Sequence, residues 1–136
     1  MVRARVLVAD DHPEMRERIA DLLHLDFDTI AFAADGQQAI ESALQLTPDI
    51  VVLDIWMPVL NGLQVASHLQ NLGCAAKLIF LTVHRDPDIV EAAFAAGALG
   101  YVLKPRIVKD LIPAIQEALA GRRFTSPFLI THRPAV

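Results

Sequence analysis

The stretch Ile50-Val51-Val52-Leu53-Asp54 most restricts what this chain can fold into. A run of branched apolar residues with no polar alternation fits a strand buried on both faces, the habit of parallel sheets covered by helices. A carboxylate placed directly after such a strand carries a desolvation cost unless it is paired or bound to a cation. Asp54 therefore needs company, and the rest of the sequence must supply it.

Similar strands recur at intervals, each followed by a helical pattern. Val6-Leu7-Val8-Ala9 ends at Asp10-Asp11, and Pro13 sits where a first-turn helical proline would sit, ahead of Met15, Ile19, Leu22 and Leu23 at helical spacing. Phe27 to Ala33 reads as a second strand; Asp35-Gly36 is a turn, and Ala39, Ile40, Ala43 and Leu44 form the next helix, stopped before Pro48. After the Ile50 strand, Asn61-Gly62 opens a helix with Leu63, Ala66, Leu69 and Leu72 inward, closed near Gly73. Leu78 to Leu81 is a fourth strand ending in Thr82, and its helix runs from about Pro87 to Ala96 with Ile89, Val90, Ala93 and Phe94 inward. Gly100 to Leu103 is a fifth strand ending in Lys104-Pro105. The last helix carries Leu111, Ile112, Ile115 and Leu119, with Pro113 expected within its first turn or so, and ends at Gly121.

Five strand-helix units imply an α/β fold with a five-stranded parallel sheet and helices on both faces, because right-handed crossovers leave few other arrangements. At 136 residues this is one domain. The single cysteine, Cys74, leaves no intramolecular disulfide to form, which points to a reducing cytoplasm. The N-terminal apolar run breaks at Asp10-Asp11 without a small-residue cleavage pattern, and no stretch approaches the ~18 apolar residues of a membrane span. Neither a signal peptide nor a membrane association is expected. Formal charge is −4 overall, but Arg122, Arg123 and Arg133 follow Gly121 with no acid, so residues 1–121 hold nine basic against sixteen acidic groups, about −7. An acidic body argues against direct nucleic-acid binding, which needs a basic footprint.

In such sheets ligands bind beyond the carboxyl ends of the strands. Asp10, Asp11, Asp54, Thr82 and Lys104 all fall there. Three carboxylates gathered in a small space repel one another, and a hard divalent cation is the ordinary remedy; Mg²⁺ suits a site with few other protein ligands. Lys104 and Thr82 opposite a metal would add a positive charge and a hydroxyl donor, a pairing that suits a phosphoryl group. Asp54 is left as the nucleophile, accepting that group by in-line attack.

These residues, in this order on strand ends, resemble the receiver domain of bacterial two-component response regulators, a (βα)5 flavodoxin-like fold. The resemblance covers residues 5 to about 127. The stretches ADDHPEMRERI, DIWMPVLNGLQV, LTVHRDPDIVEAAFAAGALGYVLKP and ALAGRRFTSP are similar to receivers with a LuxR-type helix-turn-helix output. The resemblance implies Asp54 as phosphoacceptor, with Asp11, Asp54 and the Trp56 backbone carbonyl as direct Mg²⁺ ligands and Asp10 acting through a water. It implies Thr82 and Lys104 as contacts to the phosphoryl oxygens, and Tyr101 as a switch that turns inward as Thr82 moves. The output would be a shift of the face made by helix four, strand five and helix five, controlling dimerisation, partner binding or a DNA-binding output. A sensor histidine kinase or histidine phosphotransfer protein is the implied donor, and DNA is reached only through an output domain.

Several flanking residues complete the expectation. His12 is read as helix-start packing rather than as a ligand. Trp56 and His84 occupy positions that flank the acyl phosphate in the family, with Pro105 following the lysine, and Val83 replaces the family's usual alanine or serine. Together Trp56, Val83 and His84 are expected to shield the phosphoryl group and slow self-dephosphorylation. Residues 1–122 are taken as the receiver and 123–136 as a tail or linker toward an output domain, its run Phe124 to Ile130 more apolar than a flexible linker needs. Two rival functions share parts of this pattern. A haloacid-dehalogenase-type phosphatase needs an acid two residues after the nucleophile, where this chain has Trp56; a pseudo-receiver interaction module would be expected to have lost one of the five site residues.

Overall fold

In the computed structural model, residues 3–127 are described. The strand-helix alternation gives β1 (Arg5–Ala9), α1 (Pro13–Leu23), β2 (Asp28–Ala33), α2 (Gly36–Leu46), β3 (Ile50–Leu53) and α3 (Gly62–Asn71). There follow β4 (Lys77–Thr82), α4 (Pro87–Ala95), β5 (Gly100–Leu103), a single 3₁₀ turn (Lys104–Arg106), α5 (Ile107–Leu119) and a short β6 (Phe124–Thr125). The sheet order is β2-β1-β3-β4-β5-β6, with every pairing parallel. All five expected strands are present. The sixth lies in the stretch read from sequence as tail, and pairs Phe124 with Gly100 and Thr125 with Tyr101.

The absence of polar alternation in the strands has the expected cause: both sheet faces are covered. Leu7, Val51, Leu53, Phe80 and Tyr101 pack with Ala39, Ile40 and Ala43 of α2, Val65, Ala66 and Leu69 of α3 and Ala93 of α4. Their neighbours Val6, Val8, Ile50, Val52, Ile79 and Leu81 pack on the opposite side with Ile19 and Leu23 of α1 and Leu111, Ala114, Ile115 and Ala118 of α5. Each fully buried Val, Leu or Ile stabilises the fold by roughly 1.5–3 kcal/mol relative to exposure.

The helices differ in detail from the sequence pattern. Leu72 was expected inward, but α3 ends at Asn71 and Leu72 is 57% exposed, while Val65 is buried in its place. In α4 only Ala93 is fully buried; Ile89, Val90 and Phe94 are half-buried against the core, so this helix sits on the sheet by a thin contact. Pro113 is not in the first turn, because α5 begins at Ile107; it lies one turn further in, where it offers no N–H to the Lys109 carbonyl. Leu119 is exposed, and the buried stripe of α5 runs instead through Ile107, Leu111, Ala114, Ile115 and Ala118.

The loop from β3 to α3 is built by close backbone approach. The Gly62 N–H donates to the Ile55 carbonyl at 2.6 Å, and a Cβ at Gly62 would stand 2.2 Å from the Asp54 carbonyl oxygen. Only glycine fits there. Asn61 then starts α3 with a capping box, its side chain accepting from Gln64 N while Gln64 Oε1 accepts from Asn61 N, both at 2.9 Å. Just before it, Leu60 N donates to the Pro58 carbonyl at 2.9 Å around Val59, whose φ is 72°. That is a γ-turn with a β-branched residue at positive φ, a strained arrangement.

Candidate functional site

The ladder carries the strand ends past their last apolar residues. Asp10 N donates to the Ala33 carbonyl and Asp54 N to the Ala9 carbonyl, both at 3.0 Å, so Asp10 and Asp54 emerge side by side at the carboxyl edge of β1 and β3. Both are nearly closed off from solvent, at 2% and 7% exposure. Lys104, at the end of β5, reaches back to both: its Nζ lies 2.8 Å from Asp10 Oδ2 and 2.9 Å from Asp54 Oδ2. The other oxygen of Asp54, Oδ1, accepts from the Ile55 N–H at 2.7 Å, which locks the carboxylate's rotation. Burial alone would lower the pKa of Lys104, but hydrogen bonds to Asp10 and Asp54, and their charges, outweigh it and raise the pKa.

Ligand atoms of Asp10, Asp11, His12 and Asp54 all fall within 4.8 Å of one another. One of them, Asp11 Oδ1, is buried and has no hydrogen-bond partner, although His12 Nδ1 stands 3.1 Å away; that nitrogen also faces Asp10 Oδ1 at 3.0 Å. Three carboxylates less one ammonium leave a formal −2. An orphaned carboxylate oxygen and a set of three acids that outnumber the one ammonium touching them match a hard divalent cation. His12 is the residue whose place sequence reasoning missed. Its side chain caps nothing in α1 and instead leans on the two acids, and its position directly after Asp10-Asp11 was the available signal.

Thr82 closes β4 and is fully buried, with the His84 N–H directed at its Oγ1 over a long 3.4 Å. Tyr101 of β5 is also fully buried, and its hydroxyl donates to the His84 carbonyl at 2.7 Å. The Trp56 and His84 rings meet edge to face, centroids 5.6 Å apart. Trp56 is half exposed, and Val83 is 59% exposed beside them. Pro105 lies in the 3₁₀ turn directly after the lysine. All five residues expected at the strand ends are therefore on one edge of the sheet, and Asp10, Asp54 and Lys104 are in direct contact.

Residues 6–116 match the model of the response regulator receiver domain. The chain belongs to that family. As a receiver it is 39% identical over 127 residues to YvfU, an uncharacterized transcriptional regulatory protein of Bacillus subtilis, covering 92% of this chain and 64% of YvfU. It is 34% identical over 128 residues to the nitrate/nitrite response regulator NarL of Escherichia coli, covering 93% of this chain and 59% of NarL. This receiver thus spans about three fifths of the length of such curated relatives. Among solved structures it superposes on a LuxR-family two-component response regulator from Aurantimonas sp. SI85-9A1 with a TM-score of 0.90 at 36% identity, covering 95% of this chain and 94% of the other. The flavodoxin-like receiver fold and the kinship to LuxR- and NarL-type response regulators of two-component systems follow. Among the described residues, no helix of the receiver is long and apolar enough to cross a membrane.

Proposed function

We propose that this receiver is a phosphorylation-dependent switch that accepts a phosphoryl group on Asp54 from a sensor histidine kinase or histidine phosphotransfer protein. The observation that carries the reading is the single ammonium of Lys104 shared by Asp10 and Asp54 beside the orphaned Asp11 oxygen. Asp10, Asp11, Asp54 and the Trp56 carbonyl would hold Mg²⁺, which when bound supplies charge neutralisation for the incoming phosphoryl oxygens. Asp54 forms the new P–O bond in line as the bond from phosphorus to the donor's leaving atom breaks. Held in one rotamer by Ile55 N–H and Lys104, its carboxylate meets the phosphorus without reorganising. Lys104 then exchanges an Asp54 oxygen for a phosphoryl oxygen, and the Thr82 hydroxyl donates to another.

Movement of Thr82 is read out by Tyr101 through the loop that its hydroxyl already holds, and the affected surface is that of α4, β5 and α5. That shift controls dimerisation, partner binding or a DNA-binding output domain, with residues 1–122 acting as the receiver and 123–136 leading toward the output. A cytoplasmic setting fits this role. The deciding experiment is incubation with a small phosphodonor and Mg²⁺, followed by intact mass. One phosphoryl group per chain that vanishes in Asp54→Ala supports the switch; many turnovers would indicate a phosphatase, and no label an interaction module on the same fold.

A further inference from the structure

Beyond the acidic cluster, Asp110 on α5 is the one other buried acid among the described residues, and no step proposed above uses it. Its Oδ2 accepts from Arg106 Nε at 2.7 Å and from Ser126 Oγ at 2.8 Å, with Arg106 Nη2 a longer 3.4 Å from Oδ1. Ser126, fully buried just past β6, also accepts the Leu103 N–H at 3.1 Å, while its own N–H donates to the Tyr101 carbonyl at 3.0 Å. Leu103 immediately precedes Lys104, and Arg106 closes the 3₁₀ turn that Lys104 begins. The turn that presents the lysine is therefore gripped at both ends, and both grips converge on one carboxylate.

A simple staple for the C-terminal segment would not need this arrangement. An Arg–Asp pair four residues apart on a helix works equally on the surface, whereas burying the carboxylate carries a desolvation cost that removing either partner exposes. Lysine, with four flexible carbons, depends on its backbone anchor for aim, and small misplacements of a reacting group are costly in rate.

We propose that Asp110 and Ser126 are positioning residues for Lys104, making the segment after α5 part of the apparatus that loads the phosphoryl group. The proposal rests on the reading of Lys104 and Asp54 given above. Because coupling is reciprocal, a phosphoryl group that draws Lys104 also pulls, through Leu103 and Ser126, on the chain that continues past Pro127.

The test is a double-mutant cycle on the full chain with acetyl phosphate and Mg²⁺, following label on Asp54 by intact mass. Ser126→Ala is expected to slow labelling about 3- to 10-fold in the wild-type background and less than about twofold in Lys104→Ala, since a residue acting through the lysine has nothing left to position. Mg²⁺ affinity, read from the fluorescence of Trp56, should change by less than about twofold. Arg106→Ala reaches the same carboxylate from a half-exposed side chain, and carries the same expectation should Ser126→Ala not fold. Equal losses in both backgrounds, or no loss in either, would overturn the clamp. Failure of the wild-type chain to take label on Asp54 at all would instead overturn the phosphoacceptor reading on which the clamp depends.

Discussion

The hydroxyl of Tyr101 donates to the backbone carbonyl of His84 at 2.7 Å, tying a fully buried ring on β5 to the loop that leaves Thr82. The same ring lies 6.4 Å from that of Phe80 across the β4–β5 pair. Beyond the β4–β5 ladder itself, one side-chain hydrogen bond and one packed aromatic pair thus join the end of β4 to β5.

Tyr101→Phe should cost about 1 kcal/mol, because it strands the His84 carbonyl. It should also change how stability responds to alkali. Burial, with the charges of Asp54 and Asp86, raises the phenol above its ordinary 10.0, and the pairing with Asp10 and Asp54 raises Lys104 above 10.5. In both cases the folded state holds its proton more tightly than the unfolded state. The stabilisation is therefore complete below those ordinary values and is lost as pH rises through the folded ones. Urea midpoints at about pH 8 and about pH 11 should converge more for Tyr101→Phe and for Lys104→Met than for wild type. Parallel losses in all three proteins would contradict this.

Asp11→Asn should stabilise the metal-free protein by roughly 1 kcal/mol, since it removes one of three crowded carboxylates and gives the orphaned atom's site a donor. With Mg²⁺ in excess the order should reverse, because binding to the folded state adds about 2.7 kcal/mol at a hundredfold excess over Kd. Trp56 is the chain's single tryptophan, so its emission should follow the titration and revert on chelation. An Asn variant weaker than wild type in chelator would disprove the repulsion.

Val59→Gly should stabilise by about 1 kcal/mol. Relief of a positive φ at a β-branched residue is worth about 1–3 kcal/mol, against roughly 0.5–1 kcal/mol for the added freedom of glycine. At 72% exposure Val59 has little packing to lose. Denaturant unfolding decides the sign.

The half-life of the phosphoryl group should shorten severalfold in Trp56→Asn, which removes the ring that meets His84, and to a lesser extent in Val83→Ala. Decay of labelled protein after removal of the phosphodonor measures this. Half-lives equal to wild type would show that the rim does not shield the site.

Much of this was legible in the residues because strand burial and strand-end chemistry are local signals. Ile50 to Leu53 could only be covered on both faces, and once the strands were parallel, Asp10, Asp54 and Lys104 had to converge. Features that depend on contacts across long sequence separation were not legible. Arg106 and Asp110 stand four residues apart, a spacing that carries no sign of burial, and nothing local announces that Ser126 arrives to bury the acid. The helix faces were blurred for a different reason: α4 buries only Ala93, so apolar residues at the right spacing did not mean a deep stripe. His12 was set aside as helix-start packing because the receivers this chain resembles often have histidine there, and only coordinates place its ring nitrogen against two carboxylates.

β6 is only two residues long, yet it occupies the edge that β5 would otherwise present, with Arg123 stacked over Phe94 and the pairing of Arg122 with Glu117 fixing the approach to it. An unpaired strand edge is a template on which other chains can polymerise, and a short terminal strand offers too few free amides and carbonyls to serve as one. The segment after α5 thus acts as a guard: the side chains on this flank of the sheet stay accessible, while indiscriminate strand addition is refused.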